Sequence, residues 1–160
     1  MKKDRKNIIL ESLAAMLEEK NMSKITTASL AEKSNITEAA LYRHFPSKRS
    51  IYAELFSFCD DTIFAKCNEL KKEKISAQEK VKKIFIFFML FIEKNKGFAR
   101  LLSREALSSA EQNVSDSVNQ FYERFELVLR QMLKEDEKNL TTQAGISAQL
   151  IITVLEGNIG

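Results

Sequence analysis

The chain has 160 residues, 44% of them hydrophobic and 29% charged, with four glycines and one proline. That size fits one domain, or a small head on a larger body, and can bury a real core. So little Gly and Pro disfavours a turn-rich β fold and favours long helices, while a net charge of +3 alone is weak evidence for a nucleic-acid partner. Distribution says more: residues 1–52 carry ten Lys/Arg against six Asp/Glu. Much of that excess sits in residues 1–7, MKKDRKN, which suits a tail lying near phosphates, or one that merely solubilises.

The two cysteines, Cys59 and Cys67, stand eight residues apart. On one helix that places their Cα atoms roughly 12 Å apart, too far for a disulfide. His44 is the only histidine, so no zinc set can be assembled. The thiols read as small apolar side chains in a reducing cytoplasm. The sequence reads as having no signal peptide, and the run IFIFFMLFI at 84–92 falls short of the roughly 20 apolar residues a spanning helix needs. Catalysis finds no support: there is no Gly-rich phosphate loop, no paired His/carboxylate spacing and no nucleophile motif. We therefore expect no enzyme and no cofactor.

In chain order, a first helix is predicted over 5–20, with Ile8, Ile9, Leu13, Met16 and Leu17 at helical spacing, and a break at Asn21-Met22-Ser23. Thr26 or Thr27 caps a second helix whose inward positions are Leu30 and Ala31. The turn Ser34-Asn35-Ile36 follows, with Asn35 suited to left-handed geometry. Thr37 caps a third helix, and Pro46 limits it by excluding helical geometry from the residue before. Ser47 caps a fourth helix that continues to about residue 72 through Ile51, Leu55, Phe58, Ile63 and Leu70. Ser76-Ala77-Gln78-Glu79 is a capping box, opening a fifth helix to about 94. Its middle is apolar nearly all round, the pattern of a helix surrounded by others. Asn95-Lys96-Gly97 stops it, with Gly97 at the left-handed position beyond the C-cap.

A short helix over 98–107 turns Leu101 and Leu102 inward, and 108–113 reads as a loop. A long amphipathic helix spans 114–137 on Val114, Val118, Phe121, Phe125, Val128 and Met132. Thr141 or Thr142 caps the last helix, whose predicted apolar face is Ile146, Leu150, Ile151, Val154 and Leu155.

The second and third predicted helices, joined by a tight turn, form a helix-turn-helix whose second member is the candidate DNA reader. On it, Leu41 and Phe45 lie four residues apart and face the core. Glu38, Ala39, Ala40, Tyr42, Arg43 and His44 are left toward solvent or a DNA groove. Arg43 is the only long cation there and can contact a guanine edge or clamp a phosphate. Tyr42 and His44 can donate to phosphate oxygens, and Lys48 sits at a helix N-terminus, where anions bind well. Thr26 and Thr27 offer hydroxyls and backbone N–H groups. Ala39 and Ala40 are small enough to let the helix sit deep against thymine methyls. Glu38 suits the helix dipole yet repels phosphate; it either accepts from cytosine or faces water.

The segment TEAALYRHFPSK, residues 37–48, resembles the reader segment of TetR-family regulators, and in particular the nucleoid-occlusion branch of that family. The likeness extends to NQFYERFE at 119–126 and to 149–157. It implies an all-α fold: a three-helix DNA-binding head over 1–50 and a helical, dimerising and partner-binding body over 51–160. The family's further C-terminal helix would be missing or truncated here. It implies a homodimer on palindromic double-stranded DNA, located in the cytoplasm at the nucleoid, with DNA contacts at Thr26, Thr27, Ala40, Tyr42, Arg43, His44 and Lys48; Thr37 and Ala39 complete the candidate DNA-binding set. For the nucleoid-occlusion branch it also implies inhibition of FtsZ assembly by the DNA-bound protein, through Phe58, Lys66, Lys94 and Asn95. Lys66 stands where an arginine is expected, and Phe87 and Leu90 where smaller residues are. The alternative is a repressor released by a small molecule held in the body. Phe85, Phe87, Phe88, Phe91 and Phe98 either fill that body or line a cavity, and a cavity with convergent polar groups would favour the repressor.

Overall fold

A computed structural model describes residues 4–19, 25–103, 112–135 and 144–159. The expected break at Asn21–Ser23, the cap at Thr141 or Thr142, and the stretch from Arg104 to Ala110 lie outside the described residues. Those residues form eight helices: α1 Arg5–Glu18, α2 Thr27–Lys33, α3 Glu38–His44, α4 Lys48–Lys71, α5 Ala77–Lys94, α6 Lys96–Leu102, α7 Gln112–Lys134 and α8 Ala144–Ile159. No strand occurs among them.

Local sequence explains most helix starts. Asp4, Thr26, Thr37, Ser47 and Ser76 each accept a backbone N–H from the first turn they precede, and the last of these forms the expected capping box with Glu79. Glu79 is held below the usual carboxylate range by the Ser76 hydroxyl and backbone amide. The turn after α2 is a full Schellman motif. Asn35 has φ 53°, and the N–H groups of Asn35 and Ile36 donate to the carbonyls of Glu32 and Ala31 at 2.9 and 3.0 Å. Ile36 then packs on the core of the head, completing the motif's apolar contact.

The head is α1, α2 and α3, closed over Ile9, Leu13, Leu17, Leu30, Leu41 and Phe45. Helix α4 leaves the head and runs without interruption into the body, packing on α1 at one end and on α5 and α7 at the other. Inside the body the aromatic rings meet one another. Phe121 lies within 6.3 Å, ring to ring, of Phe56, Phe64, Phe88, Phe98, Tyr122 and Phe125. Rings that bury about 150–250 Å² each in offset and edge-on pairs fill this space. Both thiols are buried, and desolvation pushes Cys59 up to about 12 and Cys67 up to about 11. Buried Lys80 ties three helix ends, donating to the Lys71 carbonyl at 3.2 Å and to Glu135 at 3.0 Å.

Several expectations are corrected. Helix α5 is not surrounded: Ala77, Val81, Ile84, Phe88 and Ile92 are buried, but Ile86 and Leu90 are 47% and 50% exposed. Gly97 is not a left-handed terminator. No described glycine has positive φ, and Gly97 lies buried inside α6, which begins one residue after Asn95. Its role is steric: a Cβ there would sit 2.7 Å from the Ala14 carbonyl oxygen of α1. The loop expected to reach 113 ends earlier, since α7 begins at Gln112. In α8 the apolar residues divide between two faces. Ala144, Ala148, Ile152 and Leu155 are buried against α7, while Ile146, Leu150 and Val154 are exposed.

Candidate nucleic-acid interface

Three local features make up the candidate interface: the start of α2, the outer face of α3 and the start of α4, with α2 packed on α3. Burial of Leu41 and Phe45 orients α3, and it leaves Glu38, Ala39, Tyr42 and Arg43 exposed with Ala40 and His44 half-buried. Lys48 is half-buried, its ammonium 5.2 Å from the centre of the Tyr52 ring. A cation over an aromatic face is attracted to it, which fixes the position of the ammonium. Likewise Lys6 lies 5.4 Å from the Phe45 ring, tying α1 to the end of the reader.

The threonines divide their work. Thr26 is the cap of α2: its Oγ1 accepts from the Ser29 amide at 3.1 Å and donates to the Ser29 hydroxyl at 3.1 Å. Thr37 caps α3 by accepting from the Ala40 amide at 3.2 Å. Thr27, one residue inside α2, donates its hydroxyl to Glu38 Oε2 at 2.7 Å. That bond answers the question Glu38 posed: in the protein alone it accepts from a threonine on the neighbouring helix. Sequence periodicity carries no signal for it, because residues 27 and 38 meet only once the turn has folded.

The residues considered for a protein partner are less tightly grouped. Phe58 is 64% exposed on α4. It shares an apolar groove of about 280 Å³ with Asn95, Gly97 and Phe98 beside α6 and with Leu10, Glu11 and Glu18 of α1. The Asn95 side chain is anchored there by donating to the Phe91 carbonyl at 2.7 Å. Lys94 is exposed next to it. Lys66 stands eight residues beyond Phe58 on α4, about 12 Å along the axis, and pairs with Glu69 at 2.8 Å. The α1 side of this groove carries no signal in the sequence, because its residues are ordinary flanks of an amphipathic helix. Of the two bulky departures on α5, Leu90 is exposed and Phe87 is half-buried against Phe91, ring centres 6.0 Å apart.

Among the described residues no helix is long and apolar enough to cross a membrane, and no group of side chains could hold a metal ion.

Comparison with known proteins agrees with this layout. The profile of bacterial regulatory proteins of the TetR family matches residues 9–55, and that of the tetracyclin repressor-like, SlmA-like C-terminal domain matches 76–160. The chain is 36% identical over 162 residues to the nucleoid occlusion factor SlmA of Alteromonas mediterranea, covering 99% of this chain and 83% of that one. It is 34% identical over 162 residues to SlmA of Marinomonas sp., covering 99% and 82%. A TetR transcriptional regulator from Legionella pneumophila has the same fold, with a TM-score of 0.77 over 99% of this chain and 87% of that one at 22% identity. Head and body are each matched, and this all-α protein belongs to the TetR family of bacterial regulatory proteins.

Proposed function

We propose that this protein is a nucleoid occlusion factor: as a homodimer it binds palindromic double-stranded DNA and, so bound, inhibits FtsZ assembly over the chromosome. The observation that carries the reading is the extent of the likeness to SlmA, which runs through the body as well as the head. A shared reader alone would fit any member of the family. In this reading residues 1–50 are the DNA-binding unit and 51–160 the dimerising, partner-binding unit. Thr27, Tyr42, Arg43, His44 and Lys48 attach to phosphates and base edges, Ala39 and Ala40 give close approach, and Thr26 and Thr37 hold the helix starts. Phe58 and Asn95 in the groove, with Lys94 and Lys66 flanking, form the face for FtsZ.

Packing supports this over a ligand-released repressor. Such a repressor needs a cavity in the body, and there the rings around Phe121 occupy the space. An open groove of about 280 Å³ lies where α1 and α4 meet α6, on the outside, as suits a protein segment. The test is FtsZ polymerisation followed by light scattering, with the protein alone and with a duplex it has selected from a random pool. Inhibition that appears only with the selected duplex is expected. DNA binding without any effect on FtsZ would leave a transcriptional repressor and sink the division role.

A further inference from the structure

We infer that Glu38 is a specificity-determining residue: its carboxylate, held by the Thr27 hydroxyl, opposes attachment to DNA of the wrong sequence. The inference rests on the DNA-binding reading. Its ground is the pairing of an exposed carboxylate, the first residue of the reader helix, with a hydroxyl on the neighbouring helix at 2.7 Å. Sequence-independent binding comes almost wholly from phosphate attraction. A carboxylate among Thr27, Tyr42 and Arg43, within a Debye length of several phosphates, subtracts from that attraction in every complex. In the matching complex the carboxylate itself accepts from a base-edge donor such as a cytosine amino group, which offsets the loss; in a mismatched one no donor faces it and the full cost stands. The selectivity ratio therefore rises although total affinity falls.

The Thr27 bond makes the effect directional. A free glutamate on a helix surface has rotamers that swing its charge away from the groove. A short charge-assisted bond to a side chain fixed on α2 holds this one. The same bond uses the only proton of the Thr27 hydroxyl, so Thr27 meets DNA as an acceptor and through its backbone rather than as a phosphate donor. Thr26 likewise spends its hydroxyl proton inside the α2 cap, on the Ser29 hydroxyl; the DNA-binding reading assigns side-chain donation to Tyr42, Arg43, His44 and Lys48.

Two substitutions separate charge from geometry. Glu38→Gln keeps an acceptor for Thr27 and loses the charge; Glu38→Asp keeps the charge but is one methylene too short for the bond. Each is measured by fluorescence anisotropy against a duplex selected by the wild-type protein and a scrambled duplex of the same composition, over a salt series. For Glu38→Gln the expected result is scrambled-duplex affinity raised about 3- to 10-fold, a salt slope steeper by up to about one released counterion, and a selectivity ratio lowered by a similar factor. For Glu38→Asp, scrambled-duplex affinity rises less than in Glu38→Gln. Unchanged affinities and slopes in Glu38→Gln overturn the inference, as does an equal loss on both duplexes in both variants, which marks a purely structural bond. A wild-type protein that selects no duplex fails earlier, at the DNA-binding reading itself, and takes the inference with it.

Discussion

Gly97 shows how much one missing methyl group can decide. It stands in α6, where a glycine costs about 1 kcal/mol against alanine in helix propensity, yet the space for a Cβ is already taken by the Ala14 carbonyl of α1. The obstacle is backbone, so it cannot turn aside as a side chain could. Next to it Arg100 donates from Nη1 to the carbonyls of Leu17 and Glu19, both at 2.6 Å, and so closes the C-terminal end of α1 with a cation, where the helix dipole favours one. Close approach and capping together make the α1–α6 contact the joint between head and body. Gly97→Ala is expected to gain propensity but lose more to overpacking, a net destabilisation of about 1–2 kcal/mol. That corresponds to a melting temperature lower by roughly 2–8 °C for a chain of this size. A melting temperature equal to or above that of the wild type, read by circular dichroism, would show that α1 yields without cost.

Among the elements, α4 has the most to coordinate, since its first turns belong to the head and its last to the body. Its position against α7 is fixed by Asp60, buried, which receives Arg124 Nη1 at 3.1 Å while the same guanidinium lies 4.0 Å from the centre of the Phe64 ring. Burial raises the Asp60 pKa above its ordinary 3.8; Arg124 pulls the other way and Asp61 adds to the rise. A carboxyl raised on folding carries its stability penalty fully above the folded pKa and loses it as pH falls toward the unfolded one. Asp60→Asn is therefore expected to match or exceed wild-type stability at neutral pH, the difference shrinking as pH falls through the folded pKa toward the ordinary 3.8. Arg124→Met, which leaves a buried carboxylate unpaired, is expected to cost about 1–3 kcal/mol. Urea titrations of the three proteins check this, and a larger loss in Asp60→Asn than in Arg124→Met contradicts it. The same helices show what sequence can carry. The helix starts at Thr37, Ser47 and Ser76 and the left-handed Asn35 were legible because each is settled within a few residues of chain. The outward half of α5, the two faces of α8, the reach of Glu38 to Thr27 and the α1 wall of the groove were not. Each depends on which neighbour a face meets, and apolar periodicity is blind to that when both faces are apolar.

In the whole molecule, α8 presents two apolar faces, and only one of them is covered by the described residues. Ile146, Leu150 and Val154 recur every four residues along α8, on the side opposite Ala144, Ala148 and Ile152, and stand about half exposed. One face of α8 packs on α7 and completes the protomer; the other has an apolar stripe of the kind that water tolerates poorly when it is continuous. Two readers reach successive major-groove segments only if two copies are held about 34 Å apart, so DNA binding and self-association are one property in the proposed function. A two-fold axis at the stripe would bring each residue against the same surface of its partner, and any substitution there counts twice. Burying one leucine is worth about 1.5–3 kcal/mol, so Leu150→Glu is expected to weaken the dimer by about 3–6 kcal/mol, or roughly 10²- to 10⁴-fold. Helix content should be unchanged, because Leu150 is not in the protomer's core. Sedimentation equilibrium should then show a monomer at concentrations where the wild type is dimeric, with affinity for the selected duplex falling in step and a single reader's weak phosphate attachment left behind. A Leu150→Glu protein that stays dimeric and binds that duplex as before would place the dimer contact away from this face of α8.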